Sequence, residues 1–124
     1  MRILLVEDED TVRTVARRIL AQFGYTVHEA RNGREALTLV RTLGGAIDLV
    51  ITDMVMPQMD GRELMEALRR ELPRLPVLFM SGYTEDDIVR RGAAPGTRFL
   101  PKPFTAEALG VAVRFVLEND DAGK

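Results

Sequence analysis

Short, almost wholly apolar runs recur along the chain and alternate with stretches whose apolar residues lie three and four apart. ILLV (3–6), TVHEA (26–30), IDLVI (47–51), PVLFM (76–80) and TRFL (97–100) have the length and composition of strands. The first, third and fourth are nearly free of polar residues, the pattern of strands covered on both faces. Between them, Val12, Val15, Ala16, Ile19, Leu20 and Phe23 form a helical stripe that Gly24 stops. Ala36, Leu39, Val40 and Leu43 form a second, opened by Asn32 as N-cap and ended by Gly44-Gly45. Leu64, Ala67 and Leu68 mark a third that closes before Pro73, and Leu109, Ala112, Val113, Val116 and Leu117 mark a last one opened by Thr105. Segment 84–96 has a capping Thr84 and acids in its first turn, but only Ile88 and Val89 as apolar neighbours ahead of Gly92 and Pro95. It is expected to be the least stable helix. Five strands each followed by a helix predict an open five-stranded parallel α/β sheet, with right-handed crossovers and helices on both faces.

A sheet of this kind gathers functional groups beyond the carboxyl ends of its strands. Strand one leads into Glu7 and Asp8, strand three into Asp53, strand four into Ser81, and strand five runs on to Lys102. Taken singly, each has an ordinary explanation: a strand-end Asp as turn former, acids in a first helical turn, a Ser before Gly82, a solvated lysine. All of them fall at strand carboxyl ends in one register, which the ordinary explanations leave as coincidence. Three crowded carboxylates repel, and a hard divalent cation offsets that repulsion. All-oxygen ligands, no cysteine and one distant histidine favour Mg2+. Such a site suits phosphoryl transfer, with an aspartate as nucleophile and Lys102 and Ser81 meeting the phosphoryl oxygens.

Composition narrows the classes. With 124 residues, 46% hydrophobic and 29% charged, the chain matches one soluble globular domain. A net charge of −2 supplies no field for nucleic acid or anionic lipid, so neither partner is expected. No apolar run is long enough to span a bilayer, acids follow the first one at once, and cysteine is absent, so a cytoplasmic location is expected.

Four stretches, ILLVEDE, DMVMPQMDG, MSGYT and FLPKPF, stand in an order and spacing that resemble a response-regulator receiver domain from Arg2 to about Leu117. FMSGYT and FLPKPFTAEAL resemble most the C-terminal receivers of hybrid sensor histidine kinases, with a stand-alone single-domain response regulator as the alternative. The resemblance implies a flavodoxin-like (βα)5 fold with strand order 2-1-3-4-5. It implies that Asp53 takes a phosphoryl group from a phosphohistidine on a histidine kinase or a histidine phosphotransfer protein. It further implies that Asp8, Asp53 and the main-chain carbonyl of Val55 bind Mg2+, that Glu7 reaches the ion through water, and that the Lys102–Pro103 bond is cis. Ser81 and Phe99 would act as the switch, reshaping the surface formed by segment 84–96, the fifth strand and the last helix. Phe99 carries no hydroxyl, so its signal would be packing alone. Residues 1–118 would be the receiver, monomeric or weakly dimeric and not an enzyme in its own right, with 119–124 as a flexible tail.

Three rival readings meet specific objections. A haloacid-dehalogenase-like phosphatase uses a second Asp two residues past the nucleophile, where this chain has Val55. A flavodoxin-like ligand binder needs a phosphate loop, and no GxGxxG or GxxxxGK[ST] occurs. A degenerate receiver would lack part of the acceptor set, all of which is present. His28, mid-strand with no second His or Cys, is expected to be a packed or surface residue. Arg17-Arg18, Arg69-Arg70 and Arg90-Arg91 are expected on solvated helix faces. Val55 and Tyr83 occupy positions that tune the dephosphorylation rate in the family.

Overall fold

Successive side chains of a strand point to opposite faces of its sheet, and here both faces find an apolar cover. A computed structural model describes residues 1–56, 59–82 and 98–119. The expectations for Pro57, Tyr83, segment 84–96, Arg90-Arg91 and the tail past Asn119 lie outside the described residues. Strands β1 (Arg2–Val6), β2 (Thr26–Ala30), β3 (Leu49–Asp53), β4 (Val77–Ser81) and β5 (Phe99–Pro101) form one parallel sheet in the order β2-β1-β3-β4-β5. The described helices are α1 (Asp10–Gln22), α2 (Gly33–Thr42), α3 (Gly61–Glu71) and α4 (Ala106–Asn119).

Leu4 and Val6 of β1, Val50 of β3, and Val77 and Phe79 of β4 pack with Ala36 and Val40 of α2 and Leu64 and Leu68 of α3. Their alternates Ile3, Leu5, Leu49, Ile51, Leu78 and Met80 pack with Ala16 and Leu20 of α1 and Leu109, Val113 and Val116 of α4. β1, β3 and β4 therefore need apolar residues on both faces along most of their length, which explains their apolar runs.

Two details differ from the sequence pattern. β3 begins at Leu49, because the Ile47 amide turns back to the Gly45 carbonyl at 2.8 Å. The strand gains Thr52 and Asp53 at its other end, so Asp53 is its last residue. In α1 the buried stripe is Arg13, Ala16 and Leu20, while Val15 and Phe23 are 48% and 46% exposed. The expected stripe is thus rotated toward a charged residue whose partners are far apart in sequence.

Helix ends follow the expected chemistry. Asn32 and Asp60 cap α2 and α3 by accepting the Glu35 and Glu63 amides at 2.8 Å each. Gly24, at φ +90, supplies the left-handed turn that ends α1. No helix among the described residues is long and apolar enough to cross a membrane.

Candidate functional site

The parallel ladders do not stop where the strands end, and their last rungs hold the reactive residues. The Glu7 amide donates to Ala30 at 3.0 Å, Met54 to Met80 at 3.0 Å, and Lys102 to Ser81 at 2.7 Å. Val6 is in register with Thr52, Asp53 with Met80, and Ser81 with Pro101. Glu7, Asp8, Asp53, Ser81 and Lys102 are thereby delivered to one edge of the sheet, as their strand-end positions predict.

Carboxylate oxygens of Glu7, Asp8 and Asp53 lie within 4.8 Å of one another. Lys102 Nζ donates to Glu7 Oε1 at 2.5 Å and to Asp53 Oδ2 at 3.1 Å. Glu7 is fully buried, and its second oxygen, Oε2, accepts the Glu9 amide at 3.2 Å. Glu7, expected to reach a metal ion through water, is held by an ammonium and a main-chain amide. Asp8, between them, is exposed.

The charges respond to this crowding. Partial desolvation, reinforced by a hydrogen bond to Glu7 and by its charge, holds the Asp8 carboxyl above its ordinary value. Burial would lower the Lys102 ammonium, but its bonds to Glu7 and Asp53 and their charges outweigh that, leaving it above the ordinary lysine value. Lys102 answers the three carboxylates with one positive charge. The set of hard, negatively charged oxygens fits a divalent cation, and Glu7, Asp8 and Asp53 are the side chains able to hold it.

The other expected residues occupy supporting positions. Ser81, 1% exposed, ends β4 next to the strand that leads to Lys102. Phe99 opens β5 in register with Phe79 and packs against the core on the α2–α3 side. Val55 is an exposed residue of the loop after β3, two past Asp53. The Lys102–Pro103 bond is cis. His28 pairs in register with Leu4 in mid-strand, not at the acidic edge.

Gly61 fixes the exit of the chain. Its amide donates to the Met54 carbonyl at 2.8 Å, and a Cβ there would lie 2.4 Å from the Asp53 carbonyl oxygen and 3.0 Å from Phe79. α3 can start this close to the end of β3 only on a residue without a side chain.

Two residues escaped the sequence reading. Thr52 is buried and donates its hydroxyl to the Asp53 carbonyl at 3.0 Å. Arg13 is buried and donates to the Glu7 carbonyl at 2.8 Å. A clue to Arg13 was its place three and seven residues before Ala16 and Leu20, on the stripe facing the core.

Comparison with known proteins gives a consistent answer. The family model for the response regulator receiver domain matches residues 3–114. Sensor kinase CckA of Brucella abortus is 48% identical over 120 residues, covering 96% of this chain and 13% of the kinase. The crystal structure of the receiver domain from hybrid histidine kinase CckA has a TM-score of 0.80 at 44% identity, covering 94% of this chain and 99% of that one. Chemotaxis protein CheY4 of Vibrio cholerae has a TM-score of 0.84 at 32% identity, covering 94% and 98%. The chain spans 13% of the length of the sensor kinase, and 55% of the response regulator MprA from Mycolicibacterium vanbaalenii.

Proposed function

The chain belongs to the response regulator receiver domain family, and from that premise we propose that Asp53 is its phosphoacceptor and that Glu7, Asp8, Lys102 and Ser81 serve the transfer. The receiver is a phosphoacceptor module of phosphorelay signalling, not a classical enzyme in itself. The observation that carries the residue assignment is the convergence of three carboxylates and one ammonium at a single sheet edge.

Asp53 sits at the end of a buried central strand, which holds its carboxylate in place for in-line attack. An oxygen of Asp53 forms the new bond to phosphorus while the phosphorus–nitrogen bond of the donor phosphohistidine breaks. The imidazole leaves with the electron pair and regains a proton from water. Lys102, already 3.1 Å from Asp53, neutralises the phosphoryl oxygens that arrive there. Ser81 donates its hydroxyl to one of them. Asp8, Asp53 and the Val55 carbonyl would hold Mg2+, and Glu7 would reach it through water. The ion supplies charge neutralisation for the acids and the phosphoryl group.

Phosphorylation replaces the single charge of the Asp53 carboxylate with the nearly two of an acyl phosphate and brings new acceptor oxygens to this edge. Ser81 and Phe99, on neighbouring strands, then shift together and change the surface around β5, a bias between two populations of one fold. Residues 1–118 act as the signalling unit. Its 48% identity to sensor kinase CckA supports the receiver module of a hybrid histidine kinase over a stand-alone response regulator, with the receiver itself in the cytoplasm. A histidine kinase domain or a histidine phosphotransfer protein is then the donor or recipient.

Incubation with a small phosphodonor tests the assignment. Incorporation requires Mg2+, is labile to hydroxylamine, disappears in Asp53→Asn and slows in Lys102→Ala. A hydroxylamine-resistant label, or one retained by Asp53→Asn, would refute it.

A further inference from the structure

Asp8 is presented by a three-residue loop, Glu7–Glu9, between the end of β1 and the start of α1. α1 has no side-chain cap: Glu9 occupies the N-cap position without accepting a side-chain hydrogen bond. What fixes the loop instead comes from the second turn of the helix. Arg13, only 9% exposed, sends one nitrogen back to the Glu7 carbonyl at 2.8 Å. Its other terminal nitrogen binds the Asp10 carboxylate, which that contact holds below the usual carboxylate range. Its Nε lies 3.5 Å from Glu29 on the edge strand β2. One guanidinium therefore joins the acid loop, the first turn of α1 and the sheet edge.

A buried guanidinium with three separate partners is a positional device, because its donors form a rigid planar fork. Each partner constrains a different part of the chain, and the one nearest the chemistry is the main chain of Glu7. Rotation of that peptide would move both the Glu7 side chain and the direction in which Asp8 leaves the loop. We propose that Arg13 is a positioning residue for the acidic site: it staples the Glu7 carbonyl so that Asp8 and Glu7 converge on Asp53. This rests on the reading of the acids as a Mg2+ site. Arg13 acts through the Glu7 main chain and touches none of the three carboxylates that form the cluster.

Positioning and plain electrostatics predict opposite signs. Arg13 is a cation close to a cation site, so charge alone would make its removal tighten Mg2+ binding. If it positions the loop, its removal weakens binding instead, by about tenfold, the scale of lost outer-shell support. Lysine keeps the charge but not the fork, so Arg13→Lys weakens binding less than Arg13→Ala yet still measurably.

The test is a Mg2+ titration followed through the backbone amide NMR signals of Asp8 and Asp53, on wild type, Arg13→Ala, Arg13→Lys and Arg17→Ala. Arg17 pairs with the same Glu29 at 3.5 Å and is the control for charge. Weaker Mg2+ binding in both Arg13 variants, with Arg17→Ala equal to wild type or tighter, supports the staple. Unchanged or tighter binding in the Arg13 variants overturns it while leaving the Mg2+ reading intact, as does equal weakening in Arg17→Ala. A wild type whose Asp8 and Asp53 signals ignore Mg2+ sinks the underlying site reading, and the staple with it. Should Arg13→Ala fail to fold, Arg13→Lys decides the matter alone.

Discussion

A carboxylate as completely buried as Glu7 needs a counter-charge and hydrogen bonds to both oxygens, and it has them in Lys102 and the Glu9 amide. Removing the ammonium strands that charge. Lys102→Ala is expected to lose about 3 kcal/mol of unfolding free energy in metal-free buffer, the cost of breaking a buried pair on one side. Adding Glu7→Gln should restore most of it, since no charge is then left unpaired; denaturant titration of the single and double variants checks both values. The Asp8 carboxyl makes stability depend on pH. It binds its proton more tightly folded than unfolded, so its contribution to stability is complete below the ordinary carboxylate range. That contribution is lost as pH rises through this range to the higher folded value. Without divalent ions, Asp8→Asn should flatten this decline and exceed wild type in stability at neutral pH, by less than about 1 kcal/mol because the group is solvent-screened. Thermal melts across that window would show it, and a steeper decline in the variant would contradict it. Asp8, Asp53 and Lys102 could be read from the chain because strand-end position suffices to bring them together. The Glu7–Lys102 pair could not, because 95 residues separate the two and only the assembled edge reveals the burial.

The elements were legible wherever a local pattern decides them. β1 and β4 need apolar residues on both faces and show them as unbroken runs; Asn32 announces α2 by its own capping bond. α1 was read with its inward face rotated, because Arg13 looks like a solvent residue until the Glu7 carbonyl, Asp10 and Glu29 surround it. β3 was read two residues early because Ile47 and Asp48 continue its composition. Hydrogen bonding, not hydropathy, starts the strand at Leu49. The junction of β3 and α3 adjoins the proposed acceptor. Gly61→Ala would force its new methyl onto the Asp53 carbonyl, and an overpacked contact of that kind costs about 1–3 kcal/mol. Because the displaced atom belongs to the proposed acceptor, labelling of Asp53 should slow as well. Wild-type labelling in a destabilised Gly61→Ala protein would mean that the junction shapes the fold but not the site.

At the scale of the whole molecule, the sheet order explains why the site is where it is. β1 and β3 are neighbours at the centre, β4 lies beside β3 and β5 beside β4, so residues far apart in sequence meet at one carboxyl edge. The two apolar layers cover both faces of the sheet behind that edge, and β5 is a three-residue strand at its margin. The chain accounts for 13% of the length of the sensor kinase it resembles. The central claim concerns one carboxylate. Phosphodonor treatment in the presence of Mg2+, followed by borohydride reduction and peptide mass mapping, converts an aspartyl phosphate into homoserine where it stands. Homoserine is expected at position 53 and only when Mg2+ is present; reduction product at Asp8, or none anywhere, would contradict the assignment of Asp53.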